Sequence, residues 1–158
     1  MKHFLTLMAS VFVTAHVFPA AKFADHQAVG SSHLQVNAIS ANTSTYSEAV
    51  NAGDVLYISA QLPLDPSTGQ IVHGDMETLT NLVIDHIQHL LHLNGMKMNQ
   101  VVKTQVYLQD IRNYQAMDNA YHSRFCFQYP PARDVVEVSN LLYNAPIEIS
   151  CIAYRNRH

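Results

Sequence analysis

From Asp75 to Gly95 the apolar residues Leu79, Leu82, Val83, Ile87, Leu90 and Leu91 recur at steps of three and four, then stop at Asn94-Gly95. That period lines them along one stripe, so the segment is an amphipathic helix that must bury the stripe against another layer. Gly95 provides the stop, since a left-handed residue commonly closes a helix. On either side the period changes. Val55-Leu56-Tyr57-Ile58-Ser59, bounded by Asn51-Ala52-Gly53-Asp54 and Pro63, reads as a strand, and Val101 to Leu108 reads as another. Asp65-Pro66-Ser67-Thr68-Gly69-Gln70 has turn chemistry and predicts a reversal into a short strand from Gln70 to Val72. Asp110 or Asn113 is placed to cap a second helix, whose buried stripe is Met117, Ala120, Tyr121 and Phe125. Two more strands, Val135 to Val138 and Ile147 to Tyr154, follow. The order strand pair, helix, strand, helix, strand pair predicts an α+β fold, with two helices on one face of a mixed sheet. The opposite face is then bare, and on the last two strands it is not uniformly polar. Self-association covers it most economically, and a cleft between copies suits a small ligand.

Composition narrows the class of partner. A chain of 158 residues with 48% apolar and 13% charged content holds one domain with a proper core and is not disordered. Nine Lys and Arg against twelve Asp and Glu leave a formal charge of -3, with no basic run, which argues against an electrostatic nucleic-acid binder. The ten histidines are scattered. His86 and His89 have the i, i+3 spacing of a ligand pair, but no third ligand accompanies them, so no metal and no cofactor is expected.

The first residues form a separate unit. Met1-Lys2-His3 precedes the apolar run Phe4 to Val13, and Pro19-Ala20-Ala21 follows. A basic start, an apolar centre too short to span a bilayer and small residues beyond it predict a secretory signal over residues 1–21. Cleavage near Ala20 or Ala21 leaves a mature chain from about Lys22, periplasmic or secreted and without a stable membrane anchor. If the signal is not used, residues 1–21 form an uncleaved helix and the protein is cytoplasmic. Residues 22–42 are polar and small and read as a flexible leader arm; the folded domain spans 43–158, with order beginning near Tyr46. Export makes a disulfide chemically possible. Cys126, however, falls on the far side of the second helix, and Cys151 shares strand parity with Ile147 and Ile149, so two unpaired thiols are expected, with Cys151 packed as a small hydrophobe.

Tyr129-Pro130-Pro131-Ala132-Arg133 carries the first chemical signal. Each proline locks its φ and biases the residue before it toward extended geometry, so Arg133 arrives at a strand on a rigid lead-in. A guanidinium held in this way grips a carboxylate with two parallel hydrogen bonds. Parity puts Arg133, Val135 and Glu137 on one side of their strand, and Glu148, Ser150 and Ile152 on one side of the last strand. Whether Arg133 and Glu148 converge depends on register. On spacing alone, Arg133 is equally a surface cation, Glu148 a solvent-facing acid and Tyr46 an interface aromatic.

Taken together, several segments resemble the Rid family, also called YjgF or L-PSP, of reactive enamine and imine deaminases. They are Tyr46-Ser47-Glu48-Ala49-Val50, Gly53-Asp54 through Ser59-Ala60-Gln61, Val101-Val102-Lys103-Thr104 through Leu108, Met117 with Tyr121, Pro130-Pro131-Ala132-Arg133, and Ile147-Glu148-Ile149. The resemblance spans Tyr46 to Ala153. It implies a homotrimer of chorismate-mutase-like subunits with ligand sites between neighbours. It also implies that Arg133 binds the substrate carboxylate, Tyr46 lines the pocket and Glu148 positions or activates water, with Ala60 and Val135 at pocket positions. The implied substrates are 2-aminoacrylate, 2-aminocrotonate and their imine tautomers, which become 2-oxo acid plus ammonia. Four departures stand out. Val135 replaces a common Cys, Ala60 a Gly, Glu48 a Gln, and Asp118 an Asn; the last two add negative charge beside a site for an anion. Two readings therefore remain: a deaminase, or a non-catalytic small-carboxylate binder or interaction protein outside the cytoplasm that uses the same clefts. The ribonuclease activity attached to the family name fits a chain of this charge poorly.

Overall fold

A computed structural model describes residues 31–34, 46–126 and 128–155; the expected signal over 1–21 lies outside them, as does most of the leader arm. Among the described residues there are β1 (Ser31–Leu34), β2 (Ala49–Ala52), β3 (Val55–Gln61), α1 (Met76–Leu93), β4 (Val101–Leu108), α2 (Tyr114–Arg124), β5 (Ala132–Glu137) and β6 (Ile147–Tyr154). The strands form one sheet in the order β1-β2-β3-β6-β4-β5. β4 and β5 run parallel because α2 carries the chain across between them, and every other neighbouring pair is antiparallel. Gly53, at φ 70°, makes the tight reversal between β2 and β3.

The two helices cover one face, as the alternation and the helical stripes predict. α1 starts where the Asp75 side chain accepts from the Thr78 backbone N–H at 2.8 Å. It ends in a paired closure: Gly95 N–H donates to the His92 carbonyl at 2.9 Å and Met96 N–H to the Leu91 carbonyl at 2.8 Å, with Gly95 at φ 66°. Leu79, Val83, Ile87, Leu90 and Leu91 are buried, joined by Ile84, while Leu82 at the stripe's margin is only half-buried. The expected stripe of the second helix, Met117, Ala120, Tyr121 and Phe125, is buried throughout. Asp110 caps the short turn Ile111–Asn113 ahead of α2, accepting from the Arg112 N–H at 2.9 Å, and the Asn113 side chain caps nothing. Beneath both helices lie Leu56, Ile58, Val106, Leu108, Ile147, Ile149 and Ala153, alternate members of β3, β4 and β6. Cys151 shares that layer, where burial pushes its thiol up to about 12, and neither it nor exposed Cys126 is paired.

Two expectations are corrected. The leader arm carries β1, which pairs antiparallel with β2 from Ser31↔Ala52 to Leu34↔Ala49. Four residues are too few to show a period, and the bonds that make them a strand come from a partner edge distant in sequence. The strand from Gln70 to Val72 reduces to one bridge, Leu64↔Ile71. Asp65 claims the intervening backbone for a side-chain-closed turn, its Oδ1 accepting from Ser67 N–H at 2.8 Å and Thr68 N–H at 3.1 Å.

Among the described residues no helix lies on the other face of the sheet. Tyr57, Val136 and Tyr154 stand on it, each close to half exposed. Between Tyr57, Ser59, Lys103, Gln105, Ser150 and Ile152 lies a shallow hollow of about 200 Å³.

Candidate functional site

β5 is an edge strand, and Arg133 is its second residue. Its register partner on β4 is Thr104, fully buried beneath the helices, so Arg133 leaves the sheet on the helix-covered side. There α2 receives it. The guanidinium carbon sits 4.4 Å from the centroid of the Tyr121 ring and 5.9 Å from that of Tyr114. Nη2 lies 2.7 Å from Asp118 Oδ1 and donates to Tyr114 Oη at 3.3 Å. Tyr114, Asp118 and Tyr121 follow the i, i+4, i+7 spacing of one helix face, so a single stripe of α2 supplies the whole seat. The seat is itself anchored, because Tyr121 Oη and Thr104 Oγ1 are 2.7 Å apart in the interior. Burial pushes the Tyr121 phenol up, a shift that the Thr104 bond and the Arg133 charge oppose. Stacking over an aromatic face and one charge-assisted bond hold the Arg133 cation in place without using up its donors. With its side chain 21% exposed, Arg133 is open to a small anion at the sheet edge.

Val135 lies two residues on, on the same face, and packs partly buried against the core. Glu137, third in that parity, has a structural task. Its Oε2 accepts from the Ile111 N–H at 2.8 Å and fixes the turn that launches α2.

A second group gathers around an irregularity in β3. Pairing with β6 runs Ile58↔Cys151 and then Gln61↔Ile149, so Ser59 and Ala60 bulge out of the ladder. Ser59 N–H donates to the Glu48 carbonyl at 2.9 Å and Ser59 Oγ to the Ser47 carbonyl at 2.8 Å. These bonds lash the Tyr46-Ser47-Glu48 segment to the bulge. Tyr46 is 64% exposed, Ala60 is exposed, and Glu148 stands on β6 beside Ile149. Glu148 is half-buried, and that burial pushes its carboxyl above the ordinary carboxylate range.

The two groups do not meet within one chain. Arg133 aligns with Thr104 and Cys151 on the helix side, whereas Glu148 aligns with Tyr107 and Val136 on the bare side. The difference is three residues along the strands, about 10 Å, and a change of face. Ala60 belongs to β3, three strand spacings from β5, about 14 Å, and Tyr46 precedes β2, one strand further out. Within one chain the residues expected at the site thus fall into two groups, Arg133 and Val135 on β5, and Tyr46, Ala60 and Glu148 toward the β3 bulge and β6. Of the two added acids, Asp118 contacts the guanidinium, and Glu48 accepts from the Ser59 N–H through its backbone carbonyl. Sequence reasoning passed over Tyr114, and it named Thr104 and Tyr121 among the segments of the family resemblance without giving either a place at the site. The polar spacing Tyr114, Asp118, Tyr121 on one helix face is the signal that finds them.

Comparison with known proteins agrees with this architecture. The family model for endoribonuclease L-PSP matches residues 35–155. A RutC family protein of Pyrococcus horikoshii is 42% identical over 110 residues, 70% of this chain and 86% of that protein. A chloroplastic Reactive Intermediate Deaminase A of Arabidopsis thaliana is 34% identical over 108 residues, 68% of this chain and 57% of its own. Among solved structures, YyfA of Yersinia pestis, from the conserved Rid protein family, superposes with a TM-score of 0.73 at 35% identity, covering 78% of this chain and 98% of its own.

Proposed function

The chain belongs to the Rid family, the group also described as endoribonuclease L-PSP, and from that membership we propose that it is a hydrolytic deaminase of 2-aminoacrylate- and 2-aminocrotonate-type enamines and imines. The observation that carries this reading is Arg133, a guanidinium stacked over Tyr121 at an open sheet edge. In the reaction a protonated imine, R–C(=NH2+)–COO−, takes up water and gives R–CO–COO− and NH4+. The C=N carbon is already electrophilic. What the protein must supply is orientation and a proton acceptor for the attacking water.

Arg133 supplies orientation by holding the carboxylate through two N–H groups. Glu148 acts as the base, and its raised proton affinity makes it a better acceptor than an exposed carboxylate. Tyr46 donates from its hydroxyl while its ring packs on the small substrate. Exposed Ala60 brings the bulged backbone close to the substrate, and Val135 forms an apolar wall. Since Arg133 and Glu148 leave opposite faces of one sheet, the two halves come from neighbouring copies in a homotrimer, whose bare sheet faces pack together. In this reading residues 1–21 direct export, and the mature chain begins at about Lys22.

The test is direct. Purified protein is added to a threonine or serine dehydratase acting on its amino acid, and the imine absorbance is followed. Faster decay supports deamination, and decay at the uncatalysed rate refutes it. Val135 and Ala60, which depart from the family's usual residues, support a second reading, a small-carboxylate binder without turnover. Thermal stabilisation by 2-oxo acids that vanishes in Arg133→Ala, with no change in imine decay, would select it.

A further inference from the structure

Asp118 places a full negative charge on the group that is meant to hold an anion. Its Oδ1 lies 2.7 Å from Arg133 Nη2, and the two side chains are 32% and 21% exposed, so water reaches both. Around them the seat is otherwise neutral: Tyr114, Tyr121 and Thr104 contribute a ring, a ring and a hydroxyl. The pocket half is therefore a dipole of Arg+ and Asp− with no net charge. A bare monocarboxylate that enters it gains the guanidinium but is repelled by Asp118. A zwitterion fits both ends, with its carboxylate on Arg133 and its nitrogen cation on Asp118. Among the described residues the polar contacts of Arg133 all fall on Nη2, so an incoming carboxylate can take the Nε or the Nη1 N–H, which lie on different edges of the guanidinium and each beside Nη2.

Resting on the deaminase reading of this site, we propose that Asp118 makes the Arg133 pocket selective for zwitterions, in which a nitrogen cation sits on the carbon next to the carboxylate, over plain 2-oxo acids. The consequence for the reaction is asymmetric. The protonated imine is such a zwitterion. Its product, the 2-oxo acid, keeps the carboxylate and loses the cation when ammonium leaves. Asp118 thus holds the substrate and repels the product, lowering product inhibition; it acts on specificity and takes no part in bond making.

The experiment compares two ligands of one carbon skeleton, L-2-aminobutanoate and 2-oxobutanoate, by calorimetric titration of the full chain. Wild type should bind the amino acid about tenfold more tightly than the oxo acid, and Asp118→Asn should reverse the order. Asp118→Glu keeps the charge and should keep the wild-type order, while Arg133→Ala should lose both ligands. A ratio of two affinities in one variant does not depend on how much of that variant is folded. If wild type prefers 2-oxobutanoate, or if Asp118→Asn leaves the ratio unchanged, the role of Asp118 is overturned while the carboxylate site survives. If neither wild type nor Asp118→Asn binds either acid, the site reading fails with it.

Discussion

Arg133 is the residue on which most of the proposed chemistry turns, and its surroundings fix how it is presented. A guanidinium stacked 4.4 Å from one ring centroid and bonded to one acid has few orientations open to it. Removing it should cost the substrate two charge-assisted bonds. Arg133→Ala is expected to lower kcat/KM for imine hydrolysis by about 100-fold, with an unchanged circular dichroism spectrum. Glu148 gives a pH signature. Burial raises its proton affinity, so the base is ionised only above the ordinary carboxylate range of about 4.3. Activity should therefore fall on acidification earlier than for a solvated carboxylate, and Glu148→Gln should abolish that limb of the profile along with most of the rate. The same shift sets a stability trend. Because the folded state holds this proton more tightly than the unfolded one, the Glu148 contribution favours folding below the unfolded value and is lost as pH rises through the folded one. Denaturant midpoints of wild type and Glu148→Gln across mildly acidic pH check it.

At the scale of elements, α1 and α2 hold the halves of the site in position. Asp75 satisfies an orphan N–H at the start of α1, and Asp75→Ala should lower the urea unfolding midpoint without altering ligand affinity. Both helices are legible in the sequence, because a stripe such as Leu79, Val83, Ile87, Leu90 reports burial through local spacing alone. β1 is not, since Ser31–Leu34 owes its strand character to bonds from β2. The Pro130-Pro131 lead-in announced Arg133, and strand parity correctly grouped it with Val135 and Glu137. Parity is silent on which face a strand turns to the core. Only the pairing Arg133↔Thr104 and Glu148↔Tyr107 decides that the two residues leave opposite faces. The seat on α2 was half visible: Asp118 stood out as an added charge, but its reach to Arg133 depends on how α2 crosses β5.

For the whole molecule, one chain keeps the Arg133 and Glu148 groups apart and carries a sheet face bearing half-exposed Tyr57, Val136 and Tyr154. Native mass spectrometry should find a trimer, and the mass of the cell-derived chain should start near Lys22 if the signal is removed. Mixing subunits tests the composite site most directly. Arg133→Ala and Glu148→Gln trimers, each inactive alone, are dissociated together and reassembled, and imine decay is measured beside native mass spectra. Random mixing restores an intact pair of half-sites at about a quarter of the interfaces, so about a quarter of wild-type activity is expected. Mixed trimers that form and remain inactive would contradict a catalytic site built from Arg133 of one copy and Glu148 of its neighbour.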